Sequence, residues 1–224
     1  MRSHVLSAFV YLASQSPRRQ ELLAQMGVPF KPLLPESKNA RSLHAQLLAL
    51  EALEALKPSE SAIQYVQRVT RLKYQAARLR AQSLGSKFDA SAPVLCADTT
   101  VSLSGRILGK PVDAKEAQEM IGALSGHTHR VYTSVVIGTE HQQQQRLSRS
   151  WVTMAPWSAS QIKAYVASKE WQGKAGGYAI QGKASGMISS IKGSYSGIMG
   201  LPVFEVSQML RSFGIEVLQN ARPD

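Results

Sequence analysis

The amino-acid sequence predicts an α/β protein. Apolar segments typical of strands alternate with segments typical of helices along the 224 residues, and this alternation characterises α/β folds. Residues 8–13 are predicted to form a first buried strand. In the stretch LASQSPRRQELLAQMG that follows, Ser16 is a good N-cap, Pro17 a good first helical residue and Gly27 a natural stop. A strand followed directly by a capped helix is therefore the first unit of the fold.

The later elements follow from periodicity and capping residues. Further strands are predicted over residues 28–34, 93–105, 106–111, 129–138 and 146–154. Further helices are predicted over residues 40–56, 59–83, 114–124, 159–168 and 202–213. Two stretches carry no strand or helix pattern: the polar loop that contains HQQQQ, and the glycine-rich residues 171–200.

Composition narrows the class of protein. The formal net charge is +11, yet the basic residues are spread along the chain, without the dense block and aromatic residues typical of nucleic-acid binding. Such a charge also suits a solvated surface or an anionic small molecule such as a nucleotide. The chain has no apolar run long enough to span a membrane. One cysteine, Cys96, excludes an internal disulfide and suits a reducing compartment. One cluster of basic residues lies on a predicted helix, namely Arg68, Arg71, Lys73, Arg78 and Arg80.

Arg18 and Arg19 stand at the positive end of the first predicted helix, where the macrodipole disfavours cations. Either they extend into solvent, or a bound anion neutralises both the arginines and the free helix amides.

Several other polar residues are candidates for chemistry. Asp98 ends a small apolar run, so it caps a turn, binds a metal or acts as a base. Lys73 interrupts an apolar helical row, so it either extends its head to solvent or enters a polar cleft. Lys110 precedes a proline and is therefore extended. Gln181 offers a donor and an acceptor beside a glycine. Standard phosphate-loop and dinucleotide fingerprints are missing from the sequence.

Five motifs stand along the chain: LAS-x-SPRR-x-ELL at 12–23, ADT at 97–99, GKP at 109–111, LSG at 124–126 and GKAGGYAIQG at 173–182. Taken together, they resemble the Maf family of nucleoside triphosphate pyrophosphatases. The resemblance implies one domain over residues 1–224, with a mixed twisted sheet, flanking helices and two lobes around a central nucleotide cleft. It also implies hydrolysis of a nucleotide between its α and β phosphates, with a divalent metal, Mg²⁺ or Mn²⁺, as cofactor.

The resemblance also implies roles for individual residues. Asp98 matches the proton acceptor and is a candidate metal ligand. The SPRR, DT and IQG residues are similar to the branch that acts on dTTP and UTP, whereas the 7-methyl-GTP branch has a glutamate where Gln181 stands. The residues expected to bind substrate are Ser14, Arg18, Arg19, Lys73, Thr99, Lys110 and Gln181.

The chain departs from the family pattern around the expected metal site. The usual R-E-K-A reads Arg71-Leu72-Lys73-Tyr74 here, so an acid is lost. Glu36 is the acid nearest the second strand and is predicted as the second metal ligand, although Glu51 and Glu54 are alternatives. Residues 37–57 resemble a helical insertion.

The sequence therefore predicts a cytoplasmic pyrophosphatase that acts on dTTP, UTP or modified pyrimidine nucleotides. The expected partner is a nucleoside triphosphate, with no membrane, no nucleic acid and a possible homodimer. Two alternatives stay open at this point: a 7-methyl-GTP pyrophosphatase, and a catalytically weakened basic protein that binds or regulates in cell division.

Overall fold

A computed structural model describes residues 9–35 and 40–217 of the chain. The strands are β1 (Val10–Leu12), β2 (Phe30–Pro32), β3 (Val94–Leu103), β4 (Arg106–Leu108), β5 (Thr128–Gly138), β6 (Gln143–Met154) and β7 (Ile188–Lys192). The helices are α1 (Pro17–Gln25), α2 (Ala40–Ala52), α3 (Ala62–Ser83), α4 (Ala114–Leu124), α5 (Ala159–Ala167), α6 (Tyr195–Met199) and α7 (Val203–Arg211). The described residues contain no helix long and apolar enough to cross a lipid bilayer.

The seven strands form one mixed sheet in the order β2-β1-β3-β5-β6-β7, with β4 paired to β3. Strand β1 runs parallel to both β2 and β3, and the remaining pairs are antiparallel. The predicted mixed sheet with flanking helices is confirmed. Strand β3 lies at the centre, and its first residues, Val94 to Ala97, are at most 2% exposed.

Alternation along β3 decides which helix each side chain meets. Leu95 and Ala97 pack in one core cluster with residues of α1 and α7. Val94 and Cys96 pack in another with Tyr74 and Ala77 of α3. Because side chains alternate between the two faces of a strand, Asp98 continues the row that faces α3.

Side-chain caps begin α3 and α5, whereas the predicted N-cap of α1 makes no such bond. Ser61 and Gln64 form a reciprocal capping box at α3, and Ser158 and Gln161 form another at α5. Ser16 adopts the extended N-cap conformation, but its side chain makes no capping hydrogen bond. Its backbone N–H instead donates to Ser14 Oγ at 3.1 Å.

Two predictions of irregular structure were wrong. Residues 171–200 contain both β7 and α6, because the polar segment ISSIK becomes a strand by pairing with the end of β6. The glutamine-rich loop is shorter than predicted, because Gln143, Gln144 and Gln145 already pair with β5. In both places the partner strand determines the structure, and the local composition gives little sign of it.

Candidate active site

Arg18 and Arg19 extend from the first turn of α1 toward the carboxyl end of α6. Arg19 Nε donates to the Gly200 carbonyl at 2.9 Å, and Arg18 Nε donates to the Met199 carbonyl at 3.3 Å. Arg19 also donates to Ser14 Oγ at 3.1 Å. Burial lowers the pKa of both guanidinium groups. The arginines are therefore half-buried in a cleft and are not free in solvent.

Gly200 makes the contact with Arg19 possible. Its φ is +121°, a conformation that residues with a side chain rarely adopt. A Cβ at this position would lie 3.5 Å from Arg19 Nε. The glycine turn therefore lets the backbone carbonyl approach the arginine closely.

Asp98 and Lys73 form the centre of the site. Asp98 is 8% exposed, and its Oδ1 lies 2.6 Å from Lys73 Nζ. Burial alone would lower the pKa of Lys73, but the charges of Asp98 and Glu54 outweigh burial and raise it. Lys73 therefore enters a polar cleft, the second of the two possibilities that the sequence left open. Tyr74 and Ala77 are buried beside it.

Glu54 extends this pair into a row of alternating charge. Its Oε1 lies 2.6 Å from Lys73 Nζ, and its Oε2 lies 3.1 Å from Lys110 Nζ. Burial opposes ionisation of this carboxyl group, but the two lysines outweigh burial and lower its pKa. Of the acids that the sequence offered here, Glu54 is the one in contact with Lys73, whereas Glu36 lies outside the described residues.

Thr99 has a defined hydrogen-bond role. The Thr133 hydroxyl donates to the Gly197 carbonyl at 2.7 Å. Thr99 Oγ1 lies 2.9 Å from Thr133 Oγ1. Because each hydroxyl has one proton, Thr99 is the donor in that pair. Its oxygen can therefore act toward the cavity only as an acceptor.

A single cavity of about 490 Å³ connects these groups. The sheet order places β1 between β2 and β3, so the start of α1 lies beside Asp98 and Thr99. Gln181 is exposed and lies in the wall formed by residues 178–181. The predicted substrate-binding residues all line this cavity, namely Ser14, Arg18, Arg19, Lys73, Thr99, Lys110 and Gln181.

Comparison with known proteins identifies the family. The sequence model of the Maf-like protein family matches residues 9–213. The chain belongs to the Maf-like protein family.

Curated relatives match over nearly the whole chain. The dTTP/UTP pyrophosphatase of Albidiferax ferrireducens is 50% identical over 95% of this chain and 100% of its own length. The protein of the same name from Polaromonas is 51% identical over 93% of this chain and 98% of its own. The dTTP/UTP pyrophosphatase of Cupriavidus metallidurans is 49% identical over 94% of this chain and 99% of its own length.

This Maf-like protein has two further charged residues in its cavity that the sequence did not single out as a site, Arg80 and Lys174. Glu51, one of the alternative metal ligands, lines the cavity as well. Lys174 belongs to the motif GKAGGYAIQG, so that motif contained the signal. Arg80 belongs to the basic cluster on α3, where helical spacing from Lys73 would have placed both on one face.

The oxygen ligands in the site suit a hard divalent cation. Asp98 and Glu54 both contact one cation already, the Lys73 ammonium. Mg²⁺ is commonly held by one or two carboxylates together with substrate phosphates. Among the described residues, no group of three or more His, Cys, Asp or Glu side chains forms an all-protein metal cage.

Proposed function

We propose that this protein hydrolyses dTTP and UTP to the nucleoside monophosphate and pyrophosphate. The observation that carries the proposal is the Asp98–Lys73 pair at the centre of a cavity whose lining includes two arginines and a second lysine. The names of the relatives at about 50% identity support the same substrate class.

The basic side chains provide the electrostatics of this reaction. Hydrolysis between the α and β phosphates leaves negative charge on the departing pyrophosphate. Arg18, Arg19 and Lys110 line the cavity where that charge develops. Preorganised cations stabilise such a transition state because they need no reorganisation when the charge appears.

Asp98 is the proposed proton acceptor for the attacking water. Its carboxylate is held by Lys73 at 2.6 Å, which fixes its orientation. A base in this position contributes about 10²- to 10⁴-fold to the rate.

We further propose that Asp98 and Glu54 hold the divalent metal. When bound, such an ion polarises a phosphoryl oxygen and lowers the pKa of a bound water. Lys73 contacts both carboxylates, so it is the side chain placed to bind substrate phosphate when the carboxylates bind the ion.

The base preference is proposed to come from Thr99 and Gln181. Thr99 presents an acceptor to the cavity, and the Gln181 amide presents both a donor and an acceptor. Uracil and thymine have an N3–H donor between two carbonyl acceptors, whereas neutral cytosine lacks that N–H. This pattern favours dTTP and UTP over CTP.

Pyrophosphate release by the purified protein tests the proposal. The panel contains dTTP, UTP, CTP, 7-methyl-GTP and the purine triphosphates, each with Mg²⁺, with Mn²⁺ and with chelator. We expect release from dTTP and UTP that depends on the metal. Release from 7-methyl-GTP alone would support the other branch, and no release with salt-sensitive binding of duplex DNA would support the regulatory alternative.

We also propose a cytoplasmic location and a homodimer. Cys96 is buried as a free thiol, which suits a reducing compartment. Light scattering of the purified protein tests the oligomeric state, and a monomeric mass would contradict the dimer.

A further inference from the structure

Arg80 lines the same cavity as Asp98 and Lys73, and it lies seven residues after Lys73 on α3. Lys73, Ala77 and Arg80 follow the spacing i, i+4, i+7, so they share one face of the helix. All three line the cavity. At about 1.5 Å per residue, Arg80 starts roughly 10 Å along the helix from Lys73.

The sheet order shows which end of the cavity Arg80 occupies. Arg80 donates to the carbonyl of Leu33, which follows β2. Strand β2 is at the edge of the sheet, and β1 with the start of α1 lies between it and Asp98. Thr99 and Gln181 lie in the part of the cavity formed by β3, β5 and residues 178–181. Arg80 is therefore on the β2 side of Asp98, away from the base-reading residues.

The charge of Arg80 has no partner in the described part of the chain. No described carboxylate lies within ion-pair distance of it, whereas Arg68 on the same helix has Glu60 at 2.6 Å. Arg80 is half-buried, and burial lowers its pKa. Among the described residues its side chain donates to the Leu33 carbonyl, and because a guanidinium has five N–H donors in a planar fork, donors remain that can bind a phosphate.

We propose that Arg80 binds the terminal phosphate of the substrate and makes the site selective for triphosphates over diphosphates. The proposal rests on the proposed pyrophosphatase function. With the base at Thr99 and Gln181 and the scissile bond at Asp98, each further phosphate extends toward the β2 side of the cavity, where Arg80 lies. A diphosphate ends before it reaches this guanidinium.

The proposed role of Arg80 depends on its position in the cavity and not only on its positive charge. Arg71, also on α3, is exposed and bonds to Gln145 at 2.9 Å. It adds the same charge to the protein without lining the cavity. Arg71→Gln is therefore the matched control for Arg80→Gln.

Two measurements test the role of Arg80. The first is kcat/KM for dTTP, with the inhibition constant of dTDP against the same reaction. The second is the calorimetric Kd of dTTP and dTDP, measured in the Asp98→Asn background with and without Arg80→Gln. We expect Arg80→Gln to weaken dTTP roughly tenfold to a hundredfold, as for loss of a charged hydrogen bond, and dTDP by less than about twofold. Arg80→Lys should fall between the wild type and Arg80→Gln, and Arg71→Gln should match the wild type.

An equal loss for dTTP and dTDP would overturn the proposal, as would no loss for either. A wild-type protein that releases no pyrophosphate from dTTP contradicts the proposed function separately. In that case the calorimetric Kd values still decide whether Arg80 distinguishes the two nucleotides, and no binding of dTTP would overturn both proposals.

Discussion

The two ends of the cavity are held together by different interactions. Around Asp98, side chains of opposite charge alternate, from Asp98 through Lys73 and Glu54 to Lys110. The wall that carries Gln181 is held by neutral hydrogen bonds. These are His129 Nε2 to Tyr178 Oη at 2.6 Å, Tyr165 Oη to the Gly177 carbonyl at 3.1 Å, and Gly176 N–H to the Gly109 carbonyl at 2.9 Å.

Because of this difference, the charged side chains can exchange partners when a ligand binds, whereas the neutral hydrogen bonds of the wall cannot. In the row around Lys73, a phosphate can replace a carboxylate as the anionic partner of the lysine. A metal ion can replace the lysine as the cationic partner of the carboxylates. The bond between His129 and Tyr178 has no such substitute, because both side chains are buried and His129 is 1% exposed. We therefore expect substitutions in the charged row to change catalysis, and substitutions behind the wall to change stability.

The largest effect is expected at Asp98. Asp98→Asn keeps the shape of the side chain but removes the proton acceptor, so kcat for dTTP should fall by about 10²- to 10⁴-fold. Pyrophosphate release measures this loss, with the urea unfolding midpoint as the control for folding. Activity within tenfold of the wild type would contradict the role of Asp98.

Glu54→Gln should give the next largest loss. The amide cannot replace the carboxylate as a metal ligand, so activity should fall roughly tenfold to a hundredfold, as when a group that orients a metal is removed. The Mn²⁺ concentration for half-maximal activity should rise as well. Glu119→Gln, at an exposed residue of α4 that does not line the cavity, is the control and should behave as the wild type. An unchanged Mn²⁺ dependence in Glu54→Gln would contradict the proposed metal site.

Removing the hydrogen bond between His129 and Tyr178 should lower the free energy of unfolding. Tyr178→Phe leaves His129 Nε2 buried without a partner, which costs about 1–3 kcal/mol in free energy of unfolding. Urea denaturation measures this difference. Tyr195→Phe, at a residue that is 47% exposed, should leave the free energy of unfolding unchanged. Equal stability of both variants would show that the 2.6 Å contact contributes little.

The smallest expected effect is a dependence of the free energy of unfolding on pH, which arises from His129 in the same wall. Burial lowers the pKa of His129 from 6.5 to about 4, so the folded protein holds it neutral where the unfolded chain protonates it. Stability should therefore fall as the pH drops from about 6.5 toward 4, by roughly 1.5 kcal/mol between pH 6.5 and pH 5.

Urea unfolding at pH 7 and pH 5 measures this dependence. The loss at pH 5 should be smaller in His129→Asn, which has no titrating group at this position. His127→Asn, at an exposed histidine two residues away, should keep the wild-type dependence. The same loss in His129→Asn as in the wild type would remove His129 as its source.

Much of the fold was predictable from local pattern. Helix α3 has a strong capping box and β3 a continuous apolar run, and both were predicted within a few residues. Strand β7 was not predictable, since its residues Ile188–Lys192 are mostly polar and become a strand only beside β6. The same holds for Gln143 to Gln145, whose strand structure comes from β5.

The candidate site was predictable to the extent that its residues belong to short motifs. Asp98, Lys110 and Gln181 stand in such motifs, and the structure places all three on one cavity. Glu54 follows a leucine-rich helix that offers several acids, and no local rule distinguishes it from Glu36 or Glu51. Its contact with Lys73 depends on how α2 and α3 are joined, which is a tertiary property.

Because Lys73 and Arg80 lie on one continuous helix, α3, the distance between them along the helix axis is fixed. Between and beside them, Ala77 and Ala81 are 1% or less exposed and pack in the core. An insertion or deletion of one residue within this stretch would rotate the rest of the helix by ~100°. It would move Arg80 out of the cavity and the buried alanines out of the core together. Selection for a packed core therefore also keeps the length of this segment constant, even where its individual residues can change.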